Sequence, residues 1–295
     1  MLLTGLLFLC MTSIVKHVGP SVPAPQSAFL RFALGLPFVL PMIRPILRAR
    51  LTPRQWRLFG WRGLVHTLAT TCWFYAMTRI PLAEVTAMNY LNPIYVTLGA
   101  ALFLGEKLAA RRLIAVGAAL IGALIILRPG IREVDPGHIA MLVTAVFFAA
   151  GYLIAKRLSA ELSATVIVGI LSISVTIGLF PFALAVWVPV SVTTLLWFLL
   201  AAAFATAAHY AMTFAFAAAP LTVTQPVTFL QLVWAVLLGA VAFGEAVDGW
   251  VIFGGAVIMA AVSFITWREA VLRRNGVSPT PTAQVAGAGA SGGDN

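Results

Sequence analysis

The sequence predicts an all-α integral membrane protein: ten transmembrane helices, arranged as two inverted five-helix repeats around a central cavity. Three observations predict it. Of the 295 residues, 61% are apolar and only 9% charged, and mean hydropathy is +0.99. A soluble domain carries about 25% charged residues, so this chain cannot cover a water-facing surface. Ten apolar runs can be marked, many close to the ~20 residues that cross a hydrocarbon core at a rise of about 1.5 Å each. Finally, a set of dipeptides recurs at one fixed offset.

In chain order the runs are residues 1–15, 28–47, 58–77, 85–104, 113–127, 139–154, 164–187, 194–216, 223–243 and 250–267. The first resembles a signal peptide in length, but it lacks a basic n-region, and Val22–Gln26 is a poor cleavage site. It reads as a first helix, short for a full span, which leaves room for a start a few residues upstream. Several runs contain proline, notably Pro93, Pro181 and Pro226. A membrane helix tolerates proline where a neighbouring helix or a cavity satisfies the freed carbonyl. Residues 271–295, mostly Gly, Ala, Ser, Thr and Pro after the last basic residues, bury too little apolar surface to order themselves and read as a cytoplasmic tail.

Orientation follows from lysine and arginine. With a cytoplasmic amino terminus, the inner segments hold fourteen of the nineteen basic residues, six of them between Arg44 and Arg62. The outer segments hold four, namely Lys16, Arg79, Arg128 and Arg132, and Arg31 lies inside the second run. Both termini therefore face the cytoplasm, which requires an even number of spans. The net charge of +10 is explained by this topology. It does not imply nucleic-acid binding, because the basic residues sit in short gaps between apolar runs.

Pro81-Leu82 precedes the fourth run and Gly105-Glu106 ends it; Pro220-Leu221 and Gly244-Glu245 frame the ninth in the same way. Both pairs are offset by 139 residues, and Ala76, Leu91, Leu98 and Ala101 match Ala215, Leu230, Leu237 and Ala240 at that offset. Ile14 and Lys16 recur as Ile154 and Lys156, at 140. The unit is five helices, 1–130 and then 131–270. An odd number of crossings inserts the second copy upside down, a pattern found in many secondary transporters.

Five helices per half, with Pro-Leu before the fourth and Gly-Glu at its end, resemble the EamA-type permeases of the drug/metabolite transporter superfamily. The resemblance spans residues 1–267. It implies a ten-helix carrier in a bacterial cytoplasmic membrane, with a cavity lined by both halves. Such a carrier moves a small molecule and needs no cofactor. It is not an enzyme, and works as a monomer or homodimer in the lipid bilayer. The halves differ at one place: Thr224-Gln225-Pro226 stands where the first has Val85-Thr86-Ala87.

Polar side chains inside a bilayer are costly and mark cavities or interhelical contacts. Thr86, Asn89 and Asn92 share one face of the fourth helix, and Gln225, Thr228 and Gln231 are their equivalents in the ninth. Amides both donate and accept hydrogen bonds, which suits a zwitterion, a nucleobase or a flavin-like ring. Two roles fit them: lining a cavity, or bonding neighbouring helices. Tyr90 adjoins this face. Arg31 has three candidate roles: gripping an anion, snorkelling to headgroups, or pairing with Glu84. His66 and His209 lie in apolar runs and are either proton carriers or neutral, hydrogen-bonded core residues. Glu106 and Glu245 read as structural, each capping its helix or pairing with the one that follows.

No catalytic constellation and no metal-ligand spacing is present, and Cys10 and Cys72 read as small buried side chains. The expected cargo is a small zwitterionic or anionic metabolite, such as an amino acid derivative or S-adenosylmethionine. A riboflavin-like vitamin or a drug is the alternative, and an intramembrane lipid-handling enzyme is the alternative of another class.

Overall fold

The computed structural model describes residues 2–92, 94–95, 98–99, 110–131, 133–159, 161–218 and 221–274. It gives their side chains except at 20, 111–112, 156, 159, 164, 209–210, 212–218, 221–230, 269 and 272–274. The tail from 275, Glu106, and the side chains of His209, Gln225 and Thr228 therefore lie outside the described residues.

Among the described residues the regular structure is helical. The apolar run at the amino terminus forms α1, Leu2–Val18. The second run, expected as one helix over 28–47, is instead three pieces. They are α2 (Ala24–Ala33), a 3₁₀ segment (Leu36–Met42) and α3 (Ile43–Arg48). Pro37, Pro41 and Pro45 recur every four residues. Each lacks the N–H that an α-helix would donate to the carbonyl four residues back, so regular hydrogen bonding cannot run through them. α4, Pro53–Met77, begins five residues before the apolar run does, because Thr52 and Gln55 close a capping box. Gln55 N–H donates to Thr52 Oγ1 at 3.3 Å, and Thr52 N–H donates to Gln55 Oε1 at 2.9 Å.

α5, Leu82–Asn89, is interrupted at Tyr90–Leu91 within the fourth run, and Asn92, Ile94, Tyr95, Leu98 and Gly99 beyond it are helical. Tyr90 and Leu91 donate three residues back, to Ala87 and Met88, ahead of Pro93. Further helices among the described residues are α6 (Ala110–Leu127), α7 (Pro136–Ser159), α8 (Ala164–Ala185), α9 (Val192–Ala218), α10 (Leu221–Phe243) and α11 (Gly249–Arg274).

By length and composition, Ala24–Arg48, Pro136–Ala155, Thr165–Ala185 and Gly249–Arg268 can each cross a bilayer. Leu2–Val18, Leu113–Leu127, Val192–Ala208 and Gln231–Phe243 are apolar but shorter. The outward faces carry large apolar side chains, among them Ile114, Ile177 and Val241, as a lipid-facing surface requires.

Helices from the two ends of the sequence interleave. The broadest contacts join α4 to α7, α6 to α11, α1 to α9 and α2 to α8, and α5 packs on α10. Small residues permit this closeness. At the α6–α11 crossing, a Cβ on Gly254 would lie 2.6 Å from the Gly122 carbonyl oxygen. The core beneath contains Phe74, Met77, Met88 and Leu91 with Ala119, Ile126, Ile258 and Met259.

Candidate functional site

α2, α4 and α7 bring aromatic and cationic side chains together. Arg31 Cζ stands 4.1 Å from the centroid of the Phe32 ring. Phe32 meets His66 edge-to-face at 6.2 Å, and His66 meets Phe148 at 4.9 Å. Phe148 in turn contacts Trp73 at 6.2 Å and Tyr152 at 6.4 Å. Helical spacing builds the row: His66 and Trp73 are two turns apart on α4, and Phe148 and Tyr152 one turn apart on α7.

Arg31 is half-buried and Tyr152 is 51% exposed, so both side chains keep accessible surface beside this row. Tyr152 also lies within electrostatic reach of Arg62, whose Nη1 donates to the Ile167 carbonyl at 2.9 Å. Buried polar atoms without a partner among the described residues cluster on the same elements: Arg31 Nε, Thr67 Oγ1, Thr70 Oγ1 and Trp73 Nε1.

The amide stripe lies on another surface, where α5 meets α10. Asn92 Nδ2 donates to Asn89 Oδ1 at 2.8 Å, while Asn92 Oδ1 is buried without a partner among the described residues. Thr86 Oγ1 donates to the Leu82 carbonyl in its own helix at 2.8 Å, so its hydroxyl hydrogen is already in use. The Tyr90 hydroxyl bonds the backbone at Leu232 on α10. Gln231 faces α1, where a Cβ on Gly5 would stand 3.5 Å from its own Cβ. Arg31 and His66 thus share one cluster, linked through Phe32, and Asn89, Tyr90 and Asn92 share another.

The Lys16 end is tied by polar contacts. Lys16 Nζ lies 2.5 Å from Glu245 Oε1 and donates to the Ile80 carbonyl at 2.9 Å. Glu245 Oε2 accepts from Leu82 N–H at 2.9 Å, at the first turn of α5, where the exposed amides favour negative charge. The Gly-Glu pair explains the geometry. Gly244 adopts φ +64°, and Glu245 N–H returns to the Gly239 carbonyl at 3.0 Å. The carboxylate is thereby turned inward. The expectation that Glu245 caps its helix or pairs with the next one is corrected: its carboxylate is held by α1 and α5. Arg128 pairs with Asp248, and Arg79 with Asp135 at 3.1 Å. Partial burial raises the Asp135 pKa. The hydrogen bonds from Arg79 and Gly137 and the nearby positive charges outweigh it and leave the carboxyl below its usual value.

Glu84 does not pair with Arg31. Its carboxylate meets His138 Nε2, with both side chains almost wholly buried. His138 was missed because it stands at the start of a helix, outside the apolar run. The signal that points to it is Glu84 itself, a lone carboxylate in an apolar helix that needs a buried partner.

The model of the EamA-like transporter family matches residues 1–128 and 135–267. The chain belongs to the EamA-like transporter family. EamA-family relatives include a riboflavin transporter of Rhizobium johnstonii, 31% identical over 91% of this chain and 90% of that protein. A riboflavin transporter of Vibrio cholerae is 29% identical over 93% and 94%. An S-adenosylmethionine uptake transporter of Rickettsia prowazekii is 24% identical over 86% of each. A solved crystal structure shares the fold at a TM-score of 0.62 and 18% identity, covering 92% of this chain and 96% of its own. This EamA protein is a multi-pass membrane transporter for small molecules.

Proposed function

We propose that this permease carries a small metabolite bearing a planar heteroaromatic ring, of the riboflavin type, across the cytoplasmic membrane by alternating access. The observation that carries this reading is the wall of Phe32, His66, Trp73, Phe148 and Tyr152 beside Arg31. Aromatic faces stack a flat ring at offset distances. The unpartnered donors at Arg31 Nε and Trp73 Nε1 offer hydrogen bonds to ring carbonyls and nitrogens. Arg31 also disfavours a cation, which places S-adenosylmethionine, with its sulfonium, second. The amide pair Asn89–Asn92, on the surface where α5 meets α10, is a second polar set, and Gln225, Thr228, Gln231 and His209 remain candidates from the sequence.

Ten spans in two inverted halves, 1–130 and 131–270, with both termini cytoplasmic, provide the machine. The contact pattern supports this symmetry. In five-helix halves, α4 on α7 is the third helix against the sixth, and α1 on α9 is the first against the eighth, which exchange under the repeat. The pairs α2–α8, α5–α10 and α6–α11 each map onto themselves. The basic-residue bias puts the Lys16 end outside.

The test is uptake of labelled riboflavin into proteoliposomes, with S-adenosylmethionine and amino acids as competitors. Saturable riboflavin uptake, reduced at least tenfold by Arg31→Gln and by Trp73→Leu, is expected. Saturable uptake of S-adenosylmethionine or an amino acid that excess riboflavin fails to inhibit overturns the assignment.

A further inference from the structure

We propose that Glu84 and His138 form a proton-binding site whose occupancy holds the Lys16 end of the transporter closed. His138 Nδ1 lies 3.2 Å from the Asp135 backbone carbonyl, and Nε2 contacts Glu84 Oε2. Both ring nitrogens therefore face acceptors. A neutral imidazole has a single N–H and satisfies one of them; the other nitrogen would turn its lone pair on an oxygen. One additional proton removes the conflict, either as imidazolium against carboxylate or as a carboxyl O–H donating to Nε2. The geometry holds that extra proton, and at 4% and 3% exposure the two side chains seal it from solvent.

The surroundings single out this pair. From α10, Glu245 is held by Lys16 and Leu82 N–H. From the start of α11, Asp248 is held by Arg128. Before α7, Asp135 is held by Arg79, which also lies over Tyr75, and Glu133 is exposed. Lysine and arginine keep their charge across the neutral range. Glu84 contacts a histidine side chain directly, and the same histidine acts electrostatically on Asp135; histidine changes charge in the neutral range. A pocket lined by Pro81, Ala83, Glu84, Glu245, Asp248 and Val251 lies on this side of α5.

The pair also bridges the two family-matched stretches, Glu84 in 1–128 and His138 in 135–267. Separating the stretches at this end must expose it. In the closed arrangement both acceptors facing His138 are satisfied only with the extra proton, whereas in an opened, hydrated one water satisfies them. Opening therefore releases a proton and closing takes one up, so low pH favours the closed state and rising pH the open one. Linkage of one proton limits the change in the closed-to-open ratio to about tenfold per pH unit.

The experiment needs no transported substrate, so its failure is separate from failure of the riboflavin assignment. Cys10 and Cys72 are free and are replaced by serine. Spin labels are then placed at Ser21→Cys and Val247→Cys, exposed positions of the two stretches at this end. Distances are measured by pulsed electron resonance in nanodiscs from pH 5.5 to 8.5. The expected result is a short distance that dominates at low pH and a longer one that grows as pH rises. Glu84→Gln and His138→Gln each flatten that response, and either variant suffices if the other does not fold. A pH-independent distribution in the parent protein overturns the proposal. So does a pH response that survives in a folded variant.

Discussion

Replacing Glu245 with alanine removes two contacts that converge on one carboxylate. The Lys16–Glu245 side chains are only 16% and 13% exposed, so water compensates little. The substitution leaves the Lys16 ammonium with the Ile80 carbonyl at 2.9 Å and frees Leu82 N–H at the start of α5. A hydrogen bond to a charged group contributes about 1.5–3 kcal/mol. Breaking a fully buried pair from one side costs roughly 3–5 kcal/mol. Allowing for the residual exposure, about 2–4 kcal/mol is expected. At roughly 2–4 °C per kcal/mol, Tm falls by about 5–15 °C. Tryptophan fluorescence during thermal unfolding in detergent is the assay. Glu245→Gln keeps an acceptor for Leu82 N–H and should lose about half as much. A double-mutant cycle with Lys16→Met should give a coupling of about 1–3 kcal/mol. Strict additivity of the two single substitutions would refute the reasoning, because it would mean that the contact at 2.5 Å has no energetic content.

Gly239→Ala should mimic Glu245→Ala in the same melting assay, because its new Cβ would collide with Glu245 Oε2. Gly254→Leu should lower stability by about 1–3 kcal/mol or more by forcing α6 and α11 apart, seen as a lower Tm. Gln26→Leu should cost about 1–3 kcal/mol. It strips the Val188 N–H and carbonyl of their buried partners, at 2.9 and 2.8 Å, and faster amide exchange at Val188 checks it. Asp135→Asn should narrow its stability deficit as pH falls. The Asp135 carboxyl has a lowered folded pKa, so its contribution is present above the unfolded value of about 3.9 and vanishes as pH drops through the folded one. Tm compared with the native protein from pH 6 to pH 3 measures this.

Particular residues show where sequence reasoning reached and where it stopped. Thr52 and Gln55 start α4 before its apolar run, a local signal that hydropathy overlooks. Pro37, Pro41 and Pro45 break the second run, and their four-residue spacing was open to inspection. Arg31 and His66 stood out as polar groups in apolar helices, but their union through Phe32 required three-dimensional packing. Glu84 was visible as an isolated carboxylate; that its partner is His138, 54 residues away, was not.

Composition and apolar runs determined by themselves that this chain is a helical membrane protein, and the Pro-Leu and Gly-Glu dipeptides carried a resemblance to the EamA permeases that the family match bears out. Those properties depend on local hydropathy and on spacing along the chain, and both are written residue by residue. Tertiary structure decided which charges meet, which aromatics form one wall, and why Gly244 precedes Glu245. The reason is physical. A buried ion needs a counter-charge within a few ångströms whatever its distance in sequence, and only the packing of α1, α5, α7 and α10 brings those counter-charges within reach.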